Sequence, residues 1–336
     1  MIPISVQSLR APLLLDRAGI RSLATEADYL QAVESAFRAA HDGQAVSPPP
    51  LHLPATDGGF HAKGALIRSG RTYAAIKING NFPGNRDRHG LPTIQGVVVL
   101  CDGETGQLLS VMDSIEITLR RTAATTALAA RHLAKPDSTV LAICGCGDQG
   151  RAQAEALAAL FPIKRVAAWD IAPDRAQDFA EGTAAAPGLP VTALSTLDQA
   201  VLDADIIVTC TTARRPFLGT EHVSPGAFVA AVGADNTDKS EIAPDLMSSA
   251  KIVVDSLQQC LAMGDLHHAI SAGVMSAGDV YAELAEIVAG ARPGRSSPDE
   301  IFIFDSTGTA LQDVASAAVI FERAVAKTFG TSFRFM

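Results

Sequence analysis

The chain has 336 residues, 48% hydrophobic and 19% charged, which is enough for two domains with cores of their own. Its net charge of −9, without a long run of either sign, argues against nucleic acid or an anionic membrane as the main partner. No apolar stretch is long enough to span a bilayer, and Leu13-Leu14-Leu15 stops at Asp16 without a basic leader, so a cytoplasmic protein without a signal peptide is expected. Five scattered cysteines (Cys101, Cys144, Cys146, Cys210 and Cys260) suit buried thiols in a reducing compartment. The Cys144-x-Cys146 spacing suits neither zinc nor redox chemistry, and the adjacent His267 and His268 point to different faces of a helix, so no metal is expected.

Thr25 reads as the N-cap of an amphipathic helix reaching Ala40, with Ala27, Leu30, Val33 and Phe37 near one face. Ser47-Pro-Pro-Pro50 ends helical structure and leads into extended chain. A meander of strands is expected at 59–67, 72–78, 96–101 and 107–112, parted by turn residues at Ser69-Gly70, Asn81–Asn85 and Asp102-Gly103. A long helix over 114–134, stopped by Lys135-Pro136, joins this domain to the next.

From Thr139 the rhythm changes to strand, helix, strand. The apolar run 140–144 ends in Gly145-x-Gly147-x-x-Gly150, and strong helix formers follow. That order is a dinucleotide-binding fingerprint. Gly145 permits the tight turn, Gly147 lets backbone approach a pyrophosphate, and Gly150 allows close helix–strand packing; Asp148 and Gln149 complete the loop. The helix start offers free N–H groups and a positive dipole end to phosphates. Asp170 ends the next strand, twenty residues after Gly150, where an acid accepts ribose hydroxyls; a turn or cap role is its blander reading. This favours NAD over NADP as cofactor, with nearby Arg175 pulling the other way. Further strands are expected at 205–210, 227–232, 251–255 and 301–306, and a last helix at 309–328. Alternating strands and helices imply an α/β fold with a doubly wound parallel sheet. The last helix is expected to return to the first domain, giving a discontinuous α+β domain (1–125 with 309–336) around a Rossmann domain (126–308).

Substrate chemistry has to come from strand carboxyl ends and from the partner domain. Lys77 lies between apolar neighbours in a strand; it is either an edge lysine or a buried, pKa-lowered amine near a carbonyl or imine carbon. Arg121 is either a helix-surface charge or a bidentate anchor for a carboxylate. Asp235 follows the strand 227–232, as a turn aspartate or a general acid/base. Cys210 at the end of one strand with Thr211 after it, and Ser306 at the end of another, are cofactor-side candidates. The stretches 214–221 and 261–273 read as loops that shape the pocket.

Several motifs then fall in order along the chain: Ile76-Lys77 with Asn81-Phe-Pro-Gly-Asn85, Gly90-Leu-Pro-Thr93, Thr118-x-x-Arg121-Thr122, the glycine loop, Val232-Gly-Ala-Asp235 with Lys239-x-Glu241, and Asp305-Ser-Thr-Gly308 with Gln312-Asp313. In these the sequence resembles the ornithine cyclodeaminase/mu-crystallin family. The resemblance implies a homodimer formed through the N-terminal domain, a nicotinamide cofactor, and an amino or imino acid substrate. It implies that Lys77 and Arg121 hold the substrate carboxylate, that Thr93 and Thr122 lie on the cofactor side, and that Asp235 is the acid/base. Family members often carry an arginine as a further carboxylate ligand where this chain reads Ser47-Pro-Pro-Pro-Leu-His-Leu53; Lys63 replaces its charge or is another strand lysine. Ornithine cyclodeaminases have Cys-Pro-Gly after the aspartate, whereas this chain has Asn236-Thr-Asp238. The leading expectation is therefore an NAD-dependent amino acid dehydrogenase or imine reductase. Alternatives are an NAD-recycling cyclodeaminase releasing ammonia from ornithine or lysine, and a non-catalytic, crystallin-like binding protein.

Overall fold

The structure is a computed structural model that describes residues 11–183 and 188–334. The chain forms two compact units, Met1–Arg121 with Thr309–Met336, and Thr122–Gly308. It begins with β1 (Leu13–Leu15), α1 (Arg17–Leu23), α2 (Glu26–His41), β2 (Ala45–Val46), β3 (Leu51–Ala55), β4 (Gly58–Ser69), β5 (Arg71–Asn81), α3 (Asn85–His89), β6 (Ile94–Asp102), β7 (Leu108–Asp113) and α4 (Ser114–Leu133). It continues with β8 (Val140–Cys144), α5 (Asp148–Leu160), β9 (Arg165–Trp169), α6 (Pro173–Gly182), β10 (Val191–Ala193), α7 (Leu197–Val201), β11 (Ile206–Thr209), β12 (Arg214–Leu218), β13 (Phe228–Ala231) and β14 (Ser240–Ile242). It ends with α8 (Pro244–Ser249), β15 (Lys251–Val254), α9 (Leu257–Cys260), α10 (Asp265–Ser271), β16 (Ala282–Glu283), α11 (Leu284–Ala289), β17 (Phe302–Asp305), α12 (Ala310–Ala326) and β18 (Thr331–Ser332).

In the first unit the strand order is β18-β1-β7-β6-β5-β4-β2, with β3 on β4. The long β4, β5 and β6 pair antiparallel, with Lys63 opposite Lys77 and Lys77 opposite Val98. Alternation sends Ala65, Tyr73, Ala75, Val98 and Leu100 to one face, where they are buried. There α12 packs on β4 and β5, with α2 beside it. Thr25 caps α2 as expected, in a capping box with Asp28. The buried stripe of α2 is rotated from the expected one: Tyr29, Ala32, Val33, Ala36 and Phe37 face inward, while Ala27 is exposed. The reason is spacing, since 29, 33, 36 and 37 form a tighter stripe than one anchored on Ala27. The opposite sheet face leaves Leu51, Leu53, Phe60, Ile76, Ile78 and Val97 exposed.

The second unit holds an eight-stranded sheet, order β10-β9-β8-β11-β13-β17-β15-β16. All its strand pairs are parallel. Its inner strands are buried on both faces and read as apolar runs, as parallel strands must. β8 has the bounds expected of it, whereas β9, β11, β13, β15 and β17 are each a residue or two shorter than the runs that announce them; β11 stops at Thr209 and β17 at Asp305. The chain turns outward in both directions from β8 and β11, which makes their carboxyl ends the switch point of a doubly wound sheet. The stretches read as loops contain structure: Arg214–Leu218 pairs in parallel with Ser240–Ile242, and Asp265–Ser271 is helical.

Candidate active site

Within the first unit, three sequence-picked residues come together. Lys77 on β5 and Arg121 on α4 are 6% and 5% exposed, a placement charged groups occupy only when paired. Their partner is Asp313 in the first turn of α12. Lys77 Nζ lies 2.7 Å from Asp313 Oδ2, and Arg121 Nε donates to Oδ1 at 3.1 Å. Arg121 also donates to the Gln312 Oε1 atom, and Lys77 Nζ to Thr118 Oγ1 at 3.4 Å. Lys63 stands directly across the β4–β5 pair from Lys77. Burial lowers the Lys77 ammonium from its usual 10.5 to about 8; Asp313 opposes that shift, while Arg121 and Lys63 add to it. Burial alone would raise Asp313, but Lys77 and Arg121 hold its carboxyl below the usual range. The cluster is thus a cationic patch gathered on one carboxylate, with an amine poised to exchange a proton near neutral pH. Reading the sequence residue by residue gives Asp313 and Gln312 no role. The available signal is the motif Gln312-Asp313 itself, a polar pair at buried positions in the first turn of α12. Thr93 sits exposed between α3 and β6, its carbonyl accepting Phe82 N–H at 2.8 Å.

In the second unit the glycine loop has the shape its spacing demands. Gly145 has φ +110° and its N–H reaches Trp169 O at 2.9 Å. A Cβ on Gly150 would lie 2.2 Å from Gly145 O, so only glycine fits there. A Cβ on Gly147 would meet nothing within 4 Å, so no protein packing explains the glycine and open space lies before it. Gly147 caps α5 without a side-chain bond, which leaves the helix start to a ligand. These features fit a dinucleotide pyrophosphate. Asp148 is exposed, and Gln149 has its Nε2 buried without a partner among the described residues. Asp170 accepts Cys146 N at 2.9 Å through one oxygen and Ala172 N at 3.0 Å through the other. It therefore ties the glycine loop to the end of β9 and makes the turn its blander reading foresaw. Cys210 Sγ donates to Gly145 O at 3.2 Å, joining the end of β11 to the same loop.

Behind these loops lies a set of buried carboxylates. Glu241 accepts Thr211 N and Oγ1 at 2.6 and 2.7 Å on one oxygen. Its other oxygen accepts Thr209 Oγ1 at 2.7 Å and Gly233 N at 2.9 Å. It thereby stitches the carboxyl ends of β11 and β13. Burial, then the charge of Asp265, push Glu241 up to about 7. Asp265 accepts Glu241 N and Ile242 N, and Asp305 accepts Leu266 N. Burial raises both of these carboxyls too. Asp255 accepts Ser306 Oγ, Thr307 Oγ1 and Gly308 N, holding the loop after β17. So the hydroxyls of Thr211 and Ser306, picked as cofactor contacts, point to internal carboxylates, and what those loops present outward is set by Glu241 and Asp255. Asp235 is half exposed, and Lys239 Nζ pairs with it at 2.7 Å. Thr122 follows Arg121 on α4 and opens this unit. His268 Nε2 lies 2.9 Å from Lys239 O and His267 Nδ1 lies 3.2 Å from Leu261 O. No group of three or more metal-ligating side chains occurs among the described residues.

Comparison with known proteins adds to this picture. The family model for "Ornithine cyclodeaminase/mu-crystallin family" matches residues 11–328. An alanine dehydrogenase of Archaeoglobus fulgidus is 37% identical over 96% of this chain and 98% of its own. A solved archaeal alanine dehydrogenase dimer with bound NAD superposes with TM-score 0.92 at 37% identity, over 97% of this chain and 99% of that one. The iminosuccinate reductase of Paracoccus denitrificans in complex with NAD+ gives TM-score 0.88 at 32% identity, over 97% and 100%.

Proposed function

The chain belongs to the ornithine cyclodeaminase/mu-crystallin family, and from that premise we propose that it is an NAD-dependent oxidoreductase interconverting a small amino acid and its imino or oxo acid. The observation that carries this reading is the meeting of buried Lys77 and Arg121 at Asp313. A carboxylate entering there finds a bidentate guanidinium and an ammonium already placed and stripped of water. In this reading Arg121 and Lys77 fix the substrate carboxylate, and Lys63 adds charge from across the strand pair.

The loop Gly145–Gly150, with Asp170 toward the ribose, would hold NAD, which would supply the hydride acceptor. The α-carbon loses hydride, its amine loses a proton, and the imine then takes up water to leave a 2-oxo acid and ammonia. Lys77, neutral above pH of about 8, or Asp235 takes the amine proton. Asp170 disfavours the extra phosphate of NADP by like charge. This reading assigns Thr93, Thr122, Cys210, Thr211 and Ser306 to the cofactor, the last two through backbone set by Glu241 and Asp255.

The working form is a homodimer, a state named for the archaeal relative. The exposed apolar sheet face around Phe60, Ile76 and Ile78 is the surface that a second copy covers. The free thiols of the chain suit a reducing, cytoplasmic setting. Purified protein given NAD and an amino-acid panel tests the activity. NADH formed with one amino acid supports the proposal; ammonia without net NADH points to a cyclodeaminase. Sedimentation of Ile76→Lys tests the dimer: the variant sediments as a monomer if this face is the interface, and as a dimer if it is not. A Lys63→Met variant with unaltered KM would remove Lys63 from the substrate site.

A further inference from the structure

The buried carboxylates behind the strand ends of the second unit lack a counter-charge. Glu241, Asp265 and Asp305 are wholly buried, and Asp255 is nearly so. Buried carboxylates are ordinarily matched by cations. Here the donors are neutral hydroxyls and backbone N–H groups: Thr209, Thr211 and Gly233 serve Glu241, Ser240 and Ile242 serve Asp265, Leu266 serves Asp305, and Ser306 serves Asp255. Lys239, two residues from Glu241, pairs with Asp235 instead. Among the described residues no lysine or arginine pairs with any of the four. Asp265 Oδ2 and Asp305 Oδ1 have no hydrogen-bond partner among the described residues either.

The sheet order says which positive charge would meet them. Asp170 follows β9, on one side of the switch point, and β11 and β13 lie on the other. A dinucleotide with one ribose at Asp170 and its pyrophosphate at Gly147 would carry its nicotinamide half across the switch point, toward the carboxyl ends of β11 and β13. Glu241 is bonded to both ends, to β11 through Thr209 and to β13 through Gly233 N–H. The nicotinamide ring is positive in NAD+ and neutral in NADH. In a water-excluded interior a fixed carboxylate acts on that charge without touching it. We infer that Glu241 is the buried counter-charge of the oxidised nicotinamide and strengthens NAD+ binding relative to NADH. This rests on the nucleotide reading in the proposed function. The groups around Glu241 leave that charge in place. Asp265 comes from α10, with Asp305 on β17 behind it, and Glu241 itself raises the thiols of Cys144 on β8 and Cys210 after β11. Arg214, opposite Ser240 on β12, is exposed, and His268 on α10 meets Lys239 O. Burial and then Asp265 push Glu241 up to about 7. A positive ring arriving nearby therefore favours loss of its proton: the carboxyl becomes a carboxylate and the proton passes to solvent.

The test is calorimetric titration of the full-length protein with NAD+ and with NADH, from about pH 6 to about pH 8, in buffers of different ionisation heat. NAD+ binding should release protons below pH of about 7, and its affinity should rise by about 5- to 10-fold toward that pH and level off above it. NADH binding should release none and stay flat. In Glu241→Gln both cofactors bind more weakly as the loops loosen, but the ratio of Kd for NAD+ to Kd for NADH rises by about 5- to 10-fold at about pH 8, and proton release on NAD+ binding is lost. A merely structural Glu241 would weaken both cofactors equally. An unaltered ratio in the variant, or equal proton release with NAD+ and NADH in the parent, overturns the inference while leaving the nucleotide site in place. The parent's proton count decides alone if the variant does not fold. Binding of neither cofactor overturns both readings.

Discussion

Lys77 Nζ and Asp313 Oδ2 stand 2.7 Å apart, a strand ammonium and a helix carboxylate both shut away from solvent. Asp313 is also the carboxylate that Arg121 engages. Removing its charge leaves two buried cations facing each other. Asp313→Asn is therefore expected to destabilise the protein by about 3–5 kcal/mol, read as a lower midpoint in urea by circular dichroism. A change below about 0.5 kcal/mol, the size of an ordinary surface substitution, would mean that the pair does not hold the cluster together.

The same burial sets a pH dependence. The folded-state value of Lys77 is depressed from 10.5 to about 8. As pH rises the folded protein gives up this proton before the unfolded chain does. The penalty for burying the ammonium is thus fullest below pH 8 and fades toward 10.5. For catalysis, the neutral amine accepts a proton during amino acid oxidation and the ammonium donates one during imine reduction. Oxidative kcat/KM should rise through pH of about 8, and the reductive rate should fall over the same range. Lys77→Arg should abolish the limb, since an arginine stays protonated throughout. Parallel limbs in enzyme and variant would assign the proton transfer elsewhere.

Two glycines of the loop should behave differently. Gly150→Ala forces a Cβ within 2.2 Å of Gly145 O and should disrupt the loop, lowering thermal stability. Gly147→Ala places its Cβ in open space at φ −86°, which alanine adopts freely. Its melting temperature should match the parent while NADH affinity falls by about tenfold or more, because the methyl occupies the approach of a pyrophosphate. Unaltered NADH affinity in Gly147→Ala would place the nucleotide elsewhere.

Glu241 offers a third separation. Both its oxygens accept backbone N–H groups, from Thr211 and from Gly233. In Glu241→Gln the new NH2 must face one of those donors, so about 1–3 kcal/mol of stability is lost and NADH binding weakens with the loops. In the parent, its folded-state value is raised from 4.5 to about 7, so its contribution is full below 4.5 and is lost as pH rises through 7. Denaturation midpoints at pH 5 and pH 8 should differ less in the variant than in the parent; equal differences would remove Glu241 as their source.

The sequence made the sheet of the second unit legible because parallel strands are continuous apolar runs, and the spacing Gly145-x-Gly147-x-x-Gly150 has a geometric cause. Residue-by-residue reading could not see Asp313. Its partner Lys77 lies 236 positions earlier (313 − 77) and meets it only through the packing of α12 on β5. Nor could it tell that Thr211 and Ser306 turn their hydroxyls inward, because a threonine or serine at a strand end serves a ligand or an internal carboxylate equally well. The pairing of β12 with β14 was hidden for a related reason. Arg214–Leu218 carries neither alternation nor an apolar run, and only its partner Ser240–Ile242 makes it a strand.

The central claim is a net transfer of hydride from an amino acid to NAD at the Lys77–Arg121 cluster. Absorbance at 340 nm, with ammonia assayed in parallel, tests it most directly. NADH and ammonia should appear in equal amounts with one amino acid in the parent protein, and neither should appear in Arg121→Met. Ammonia released without NADH, or equal NADH production by the Arg121→Met protein, would contradict it.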